Sequence, residues 1–218
     1  MGSLLDRVQA VLWAWHPGTM GGPAIADLLF GKASPSGRLP VSFPRTTGQI
    51  PLYYAKKNTG RPPKPGVRGV PSGTPLDPKD FTSRYLDEDY DPQFAFGFGL
   101  TYTSFTYAGL SLSAERMTPD GTLTASMVIT NTGARAGVAI PQLYIRDWVA
   151  SGTRPVRELK QFQRITLEPG ETRTVCFTIG FDDLAFYNAR MKRVVEPGRF
   201  QLWIAPDSTC SGVPSAEF

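Results

Sequence analysis

The sequence predicts a mainly β protein: an antiparallel β-sandwich preceded by a small α/β segment and a long loop. From Tyr102 onward, apolar residues recur at every second position, which is typical of strands with one buried face. The clearest runs are Leu123, Ala125, Met127, Ile129; Leu143, Ile145; Val175, Phe177, Ile179; and Phe200, Leu202, Ile204. Turn signals such as Glu168-Pro169-Gly170 separate them. Several short strands between turns favour a sandwich.

The beginning of the chain predicts one unit of an α/β sheet. Residues 3–15 begin with a helix-like pattern, and the apolar run at 11–15 predicts a strand buried on both faces. A short helix is predicted over 24–30, with Gly31 as its C-terminal cap. The extended stretch 38–44 follows as a second strand. About 50 residues cannot close such a sheet, because a lone unit leaves apolar faces uncovered.

A loop and a glycine-containing junction connect this segment to the sandwich. Residues 60–79 contain six prolines and four glycines, which predicts a long loop without regular structure. In the stretch 95–105, Gly97 and Gly99 interrupt aromatic and β-favouring residues. Because glycine lets another segment approach closely, we expect this stretch to be the hinge into the first strand of the sandwich. The predicted division is 1–59 for the α/β segment, 60–100 for the loop and junction, and 101–218 for the sandwich.

Composition and charge exclude several classes of protein. Hydrophobic residues make up 41% of the 218 residues and charged residues 19%, so the chain can form a packed core and global disorder is not expected. The net charge of +4 is mild and the basic residues are scattered, which predicts no nucleic-acid partner. No segment has the length and apolarity of a membrane span, so no membrane partner is expected. The first residues show no signal-peptide pattern.

Neither the cysteines nor the acidic residues predict a metal site. Cys176 and Cys210 stand outside any CxxC or zinc-like spacing, and they fit one disulfide bridge or two free thiols. Asp87-Glu88-Asp89 form an acidic cluster, but consecutive side chains point in different directions. A solvated acidic loop is therefore favoured over a metal or acid/base site. We expect no cofactor and no metal.

A series of motifs runs through nearly the whole chain in an order that identifies a family. Before residue 95 they are Ala14-Trp15-His16-Pro17-Gly18, Gly21-Gly22, Ala24-Ile25-Ala26-Asp27-Leu28-Leu29-Phe30-Gly31, Pro35-Ser36-Gly37-Arg38-Leu39-Pro40, Gln49-Ile50-Pro51 and Tyr53-Tyr54. After it they are Phe96-Gly97-Phe98-Gly99-Leu100-Thr101-Tyr102, Asn131-Thr132-Gly133, Gln142-Leu143-Tyr144, Arg154-Pro155-Val156-Arg157-Glu158-Leu159-Lys160 and Glu196-Pro197-Gly198. Together they resemble the C-terminal part of family-three glycoside hydrolases, the β-glucosidases and β-xylosidases.

The resemblance implies a fold and a role for each part. The first part resembles the end of the second, α/β domain of these enzymes, and the last part resembles their fibronectin type III-like domain. Arg154 and Glu158 resemble positions that tie this sandwich together, which implies a structural ion pair. Members of the family are often periplasmic or secreted.

The resemblance does not carry catalytic residues to this sequence. Members place a nucleophilic aspartate on an N-terminal barrel and an acid/base glutamate in an earlier part of the second domain. No position of this sequence matches either one. Because retaining glycoside hydrolysis needs two carboxyl groups about 5–5.5 Å apart, we expect a structural or accessory module that is not an ordinary glycosidase by itself.

Two other functions stay open at this stage. A free-standing, promiscuous ester hydrolase would have to use His16, the sole histidine, with Asp27 and Ser36 as the accompanying candidates. No Gly-x-Ser-x-Gly elbow is present, so a loop histidine without a catalytic task is favoured. Alternatively, the chain is a carbohydrate-binding module or a subunit that complements a separate catalytic chain.

Aromatic residues give the candidate saccharide contacts. Tyr53, Tyr54, Tyr85 and Trp148 combine apolar faces with polar tips, which suits stacking on sugar rings. Surfaces that pack against the catalytic domains of a larger enzyme explain them at least as well. The expected partners are therefore a saccharide or those catalytic domains. An uncovered α/β segment also predicts a homo-oligomer.

Overall fold

The computed structural model describes residues 2–63, 70–75, 77 and 81–218. The loop predicted over 60–79 thus lies partly outside the described residues. The helices are two 3₁₀ turns, Gly2–Arg7 and Thr47–Gln49, and two α-helices, α1 (Gly21–Leu29) and α2 (Phe181–Leu184). The strands are β1 (Phe105–Leu112), β2 (Leu123–Asn131), β3 (Gly137–Ala139), β4 (Gln142–Asp147), β5 (Glu158–Phe162), β6 (Ile165–Leu167), β7 (Thr172–Ile179), β8 (Phe186–Tyr187), β9 (Arg193–Val194), β10 (Phe200–Ala205) and β11 (Ser215–Glu217).

Two antiparallel sheets form the sandwich. One has the strand order β1-β2-β7, and the other has the order β11-β10-β4-β5. Two short ladders, β3-β6 and β8-β9, lie between or beside them in the chain. The prediction of a mainly β fold with an antiparallel sandwich is confirmed.

The core lies between the two sheets. Alternate side chains of β2 and β7 meet alternate side chains of β4 and β10, as the two-residue periodicity predicted. The fully buried members include Leu123, Met127, Ile129, Leu143, Phe177, Ile179, Leu202 and Ile204. Burial of each such side chain stabilises the fold by about 1.5–3 kcal/mol relative to exposure.

Strand β4 is buried on both faces. Leu143 and Ile145 point into the core, while Gln142 and Tyr144 point outward and are nevertheless 3% and 0% exposed. The outer face of this sheet is therefore covered by another part of the chain. Tyr144 packs there with Phe96 and other residues that precede the sandwich.

The strand predicted at residues 11–15 is wrong. These residues have no regular structure, Trp13 and Trp15 are 48% and 54% exposed, and Trp15 has a φ of +49°. Their rings lie edge-on to Phe43, with centroids 5.3 and 6.3 Å away. A strand needs a neighbour for its backbone groups, and none of the described residues provides one here.

The second strand of the α/β unit, predicted at 38–44, is also wrong. Leu39 exchanges backbone hydrogen bonds with Gly97 and Phe98, and Phe43 does so with Phe94. Only the Phe43–Phe94 pair has bridge geometry. The stretch therefore lies along the junction as an extended loop, because its hydrogen bonds go to the junction and not to a parallel sheet.

The helix predicted at 24–30 is confirmed as α1, which begins three residues earlier. Gly31 follows its end with a φ of +70° and donates a backbone hydrogen bond to Leu28 at 3.0 Å, as expected of a C-terminal cap. Among the described helices, none combines the length and the apolarity that crossing a bilayer requires.

Candidate functional site

The outer face of β4 carries a hydrogen-bonded group, the junction lock, formed by Gly97, Gln142 and Tyr144. The Tyr144 hydroxyl donates to Gln142 Oε1 at 2.7 Å, and Gln142 Nε2 donates to the carbonyl oxygens of Gly97 (3.2 Å) and Pro206. Gly97 has a φ of +79°, and a Cβ there would lie 3.0 Å from the Tyr144 hydroxyl oxygen. Burial raises the pKa of Tyr144, so its hydroxyl stays protonated as a donor.

Tyr54 completes the cover over this sheet face. Its ring stacks on Phe96 with centroids 4.0 Å apart and lies edge-on to Tyr144 at 6.2 Å. Its hydroxyl accepts the backbone N–H of Leu159 in β5 at 3.2 Å, and Ser208 donates its own N–H to the Phe96 carbonyl at 2.9 Å. Burial raises the pKa of Tyr54. The sequence prediction of Tyr54 as an exposed sugar-stacking residue is wrong, because both its ring and its hydroxyl are used inside the protein.

Arg38 joins the N-terminal segment to β1. One guanidinium nitrogen donates to the Gly99 carbonyl oxygen. The nearby Tyr107 hydroxyl is buried and has no hydrogen-bond partner among the described residues. Burial raises the pKa of Tyr107 to about 12, although the positive charge of Arg38 opposes the shift and the negative charge of Asp207 adds to it. Burial also lowers the pKa of Arg38.

Tyr107 predicts a loss of stability at alkaline pH. The folded state favours the neutral phenol, whose pKa is about 10 in an unfolded chain. Its contribution is thus fully present below pH 10 and is lost as the pH rises toward about 12. We expect the free energy of unfolding to fall over this window by on the order of 2 kcal/mol more in the parent chain than in Tyr107→Phe.

The comparison of these two chains isolates the phenol, because lysine titration is common to both. Tyr107→Phe keeps the ring and removes a hydroxyl that has no partner among the described residues. Urea unfolding monitored at pH 8, 10 and 11.5 measures the difference. Equal slopes against pH in the two chains would contradict the assignment.

A second set of contacts fixes the end of α1 to the sandwich. The Tyr102 hydroxyl donates to the Leu28 carbonyl at 2.7 Å. Arg135, in the loop after β2, donates to the Gly31 carbonyl at 2.8 Å, and its guanidinium lies 5.8 Å from the centre of the Tyr102 ring. The end of α1 is therefore held by side chains from both sides of β2.

The residues predicted for an ester hydrolase have separate partners. His16 is exposed, Asp27 forms an ion pair with Lys32 at 3.2 Å, and the Ser36 hydroxyl accepts a hydrogen bond from Arg164 at 2.9 Å. Among the described residues, no hydrogen bond or ion pair joins His16, Asp27 or Ser36 to one another. Nothing in these contacts activates the serine as a nucleophile.

The other predicted saccharide contacts are spread over the surface. Tyr53 is 69% exposed, and the hydroxyl of the partly buried Tyr85 reaches the Gln49 carbonyl at 3.5 Å. The ring of Trp148 is covered by the guanidinium groups of Arg146 and Arg199, at 3.8 and 5.1 Å from its centre. The structure does not bring these aromatic residues together into one platform.

The acidic loop at 87–89 is tied to a neighbouring loop. The fully buried side chain of Gln49 donates to the Asp89 carbonyl at 2.7 Å and accepts the Arg45 N–H at 2.6 Å. Arg45 also lies 3.7 Å from the Asp89 carboxylate. Within the described residues no group of three metal-ligating side chains occurs.

The two cysteines are free thiols in different surroundings. Cys176 is exposed on β7, whereas Cys210 is buried behind Tyr144. Burial raises the pKa of Cys210 to about 12, which makes its thiolate inaccessible at neutral pH.

A cavity that the sequence did not predict lies under the connection between β4 and β5. It has a volume of about 310 Å³ and is lined by residues 146–156 and by Asn58. The ion pair expected between Arg154 and Glu158 is present at 2.7 Å, and Arg154 also lies 3.8 Å from Asp147. A run of loop residues between two strands carries no periodic signal, so sequence patterns could not reveal this cavity.

The N-terminal segment also exposes a large apolar surface, the uncovered face. Its members are Val11, Leu12, Trp13, Trp15, Met20, Leu29 and Phe30, of which Phe30 is 89% exposed. Contiguous apolar surfaces of this kind mark contact sites with other protein surfaces.

Two family models match the chain. The model described as the glycosyl hydrolase family 3 C-terminal domain matches residues 1–102, and the model described as the fibronectin type III-like domain matches residues 139–208. The periplasmic β-glucosidase of Salmonella typhimurium is 48% identical over 203 residues, which are 93% of this chain and 25% of that protein. A β-xylosidase of Formosa agariphila is 38% identical over 94% of this chain and 26% of its own length.

Solved structures give the same result. The β-glucosidase of Listeria innocua in complex with glucose superposes with a TM-score of 0.87 and 37% identity, covering 98% of this chain and 28% of that one. The β-D-glucoside glucohydrolase of Trichoderma reesei superposes with a TM-score of 0.70 and 27% identity. The chain thus spans about a quarter of the length of the curated relatives it matches.

Proposed function

Because the chain belongs to glycosyl hydrolase family 3 and matches the C-terminal part of its β-glucosidases, we propose that these 218 residues are a supporting module of such a hydrolase. The sandwich holds the preceding segment in place, and the segment in turn contacts the catalytic part of the enzyme. The module does not cleave the glycosidic bond itself.

The junction lock is the observation that carries this proposal. A free-standing sandwich has no reason to bury polar side chains on its outer face. Here Gln142 and Tyr144 are buried by the junction, and their hydrogen-bonding groups are satisfied only when Gly97 lies against them. The two parts therefore support each other's geometry.

The uncovered face supplies the second half of the proposal. Leu29 and Phe30 are exposed at the end of α1, whose other contacts fix it to the sandwich. We assign this face to the contact with the remainder of the hydrolase. In the isolated chain the same face favours association between copies.

The relatives suggest the substrate class of the whole enzyme. The Salmonella relative is a periplasmic β-glucosidase, and its identity of 48% exceeds that of the Formosa β-xylosidase. We therefore assign β-glucosides to the enzyme that contains this module, and the periplasm as its compartment.

A chimaera with the Salmonella enzyme tests the supporting role. Four proteins are compared in hydrolysis of a nitrophenyl β-glucoside: the intact Salmonella enzyme, the same enzyme without its matching segment, a chimaera carrying this chain instead, and this chain alone. We expect the chimaera to be active, the truncated enzyme to lose about a hundredfold or more in rate because its catalytic groups are misplaced, and this chain alone to show no turnover.

Two variants of the chimaera connect the result to the junction. Gly97→Val should lower the activity, whereas Gly22→Ala, in a helix position with open space around its Cβ, should leave it unchanged. Full activity of the truncated enzyme, or turnover by this chain alone, would contradict the proposal.

A further inference from the structure

The cavity under the connection between β4 and β5 is preformed. Ser151 donates hydrogen bonds to the Glu196 carboxylate from its backbone N–H at 2.7 Å and from its hydroxyl at 2.6 Å, which holds the loop against the turn before β10. On the opposite side, Lys57 pairs with Pro155, and the Val156 N–H donates to the Lys56 carbonyl at 2.9 Å. The volume of about 310 Å³ lies at the lower end of the range for small-molecule sites.

The charge of Arg146 is not balanced inside this cavity. Two arginines, Arg146 and Arg154, line it with one carboxylate, Asp147. Arg154 is paired with Asp147 at 3.8 Å and with Glu158 at 2.7 Å. In contrast, no ion pair within the described residues includes Arg146, whose guanidinium lies 3.8 Å from the centre of the Trp148 ring.

The surroundings of Arg146 favour a bound anion. Burial lowers the pKa of Arg146, and the positive charge of Arg157 lowers it further. Arg157 itself donates to the backbone carbonyls of Ser208 and Thr209 and forms no ion pair within the described residues. An anion beside Arg146 would offset both the desolvation and the repulsion between the two guanidinium groups.

Asp147 adds a requirement for hydroxyl donors. Its side chain is only 6% exposed, and Oδ1 accepts the Val149 N–H at 3.2 Å. Oδ2 lies 3.8 Å from the Arg154 nitrogen, which is beyond hydrogen-bond distance, so it retains capacity to accept from a ligand. The amide of Asn58 on the rim offers both a donor and an acceptor.

We propose that this cavity is a binding site for one sugar-acid unit, a hexuronate, with its carboxylate on Arg146 and its hydroxyls on Asp147 and Asn58. A neutral sugar would leave the Arg146 charge without a partner. A bare inorganic anion would leave Asp147 Oδ2 without a donor and would fill little of the cavity. The site is independent of the glycoside-cleaving activity assigned to the whole enzyme.

Titration calorimetry of the 218-residue chain at pH 7 and low salt tests the site with three probes: glucuronate, glucose and sulfate. We expect saturable binding of glucuronate at least about tenfold tighter than binding of either other probe, because only glucuronate supplies both an anion and hydroxyls. Absence of saturable glucuronate binding overturns the proposal. Equal affinity for glucose or for sulfate does so as well.

Three variants test the assigned residues. Arg146→Gln should weaken glucuronate binding about tenfold or more by removing the charge-assisted hydrogen bonds. Asn58→Asp, at an exposed rim position where folding is not at risk, should weaken it by placing a second negative charge beside the ligand. Arg116→Gln makes the same charge change in the exposed loop between β1 and β2 and should bind like the parent chain. Parent-like binding by both cavity variants would overturn the assignment.

Discussion

Replacing Gly97 with alanine is expected to lower the free energy of unfolding by about 3 kcal/mol. The φ of +79° costs an alanine about 1–2 kcal/mol in this left-handed region. The added Cβ would also lie 3.0 Å from the Tyr144 hydroxyl oxygen and closer still to Gln142 Oε1. Gln142 cannot give way without losing its hydrogen bonds to Gly97 and Pro206.

Urea unfolding followed by tryptophan fluorescence measures this effect. Gly22→Ala is the matched control, because Gly22 lies in α1 and no atom lies within 4 Å of the position that a Cβ would take there. Alanine there should leave the stability unchanged or raise it by about 0.5–1 kcal/mol, since glycine is a poor helix residue. A Gly97→Ala chain as stable as Gly22→Ala would show that the junction does not press on β4.

Replacing Asn131 with alanine is expected to cost about 3 kcal/mol or more. Its fully buried amide donates to the carbonyls of Arg135 at 2.8 Å and Leu167 at 2.9 Å. Its Oδ1 accepts the Thr103 hydroxyl at 2.5 Å and the Gly133 N–H at 3.1 Å. Alanine would leave several of these groups buried without partners, each at a cost of about 1–3 kcal/mol.

Asn188→Ala is the matched control for this prediction. Asn188 also caps backbone N–H groups, those of Arg190 at 3.0 Å and Lys192 at 3.1 Å, but the hydrogen bonds lie at an exposed turn. Water can replace the lost acceptor there, so a loss of about 1 kcal/mol or less is expected. Asn131→Asp should behave like Asn131→Ala, because a carboxylate cannot donate to the two carbonyls. Equal small losses at 131 and 188 would contradict this account of the turn.

The sandwich could be predicted because its signal is local. Alternation along β2, β7 and β10 assigns each side chain to one face, and the core follows from the same pattern. Helix α1 and its Gly31 cap follow from residues adjacent in the chain. The glycines of the junction indicated a close approach without specifying what approaches.

The rest depends on contacts between distant parts of the chain. Residues 11–15 have the composition of a buried strand, but a strand forms only beside a partner, and here Trp13 and Trp15 pack on Phe43. Gln142 and Tyr144 occupy positions that a half-exposed strand would turn to solvent, so their burial could be recognised only once Gly97 was seen against them. Arg146 stands in the same position as any exposed strand arginine.

Native-state hydrogen exchange tests most directly whether the sandwich and the junction are one structural unit. The amides of Leu39 and Gly97 hydrogen-bond across the junction, at 2.9 and 2.8 Å, and Met127 lies in the centre of β2. We predict that all three amides exchange with the same free energy of opening, that of global unfolding. Rapid exchange at Leu39 and Gly97 while Met127 stays protected would show that the junction opens independently, and would contradict the supporting role proposed for the sandwich.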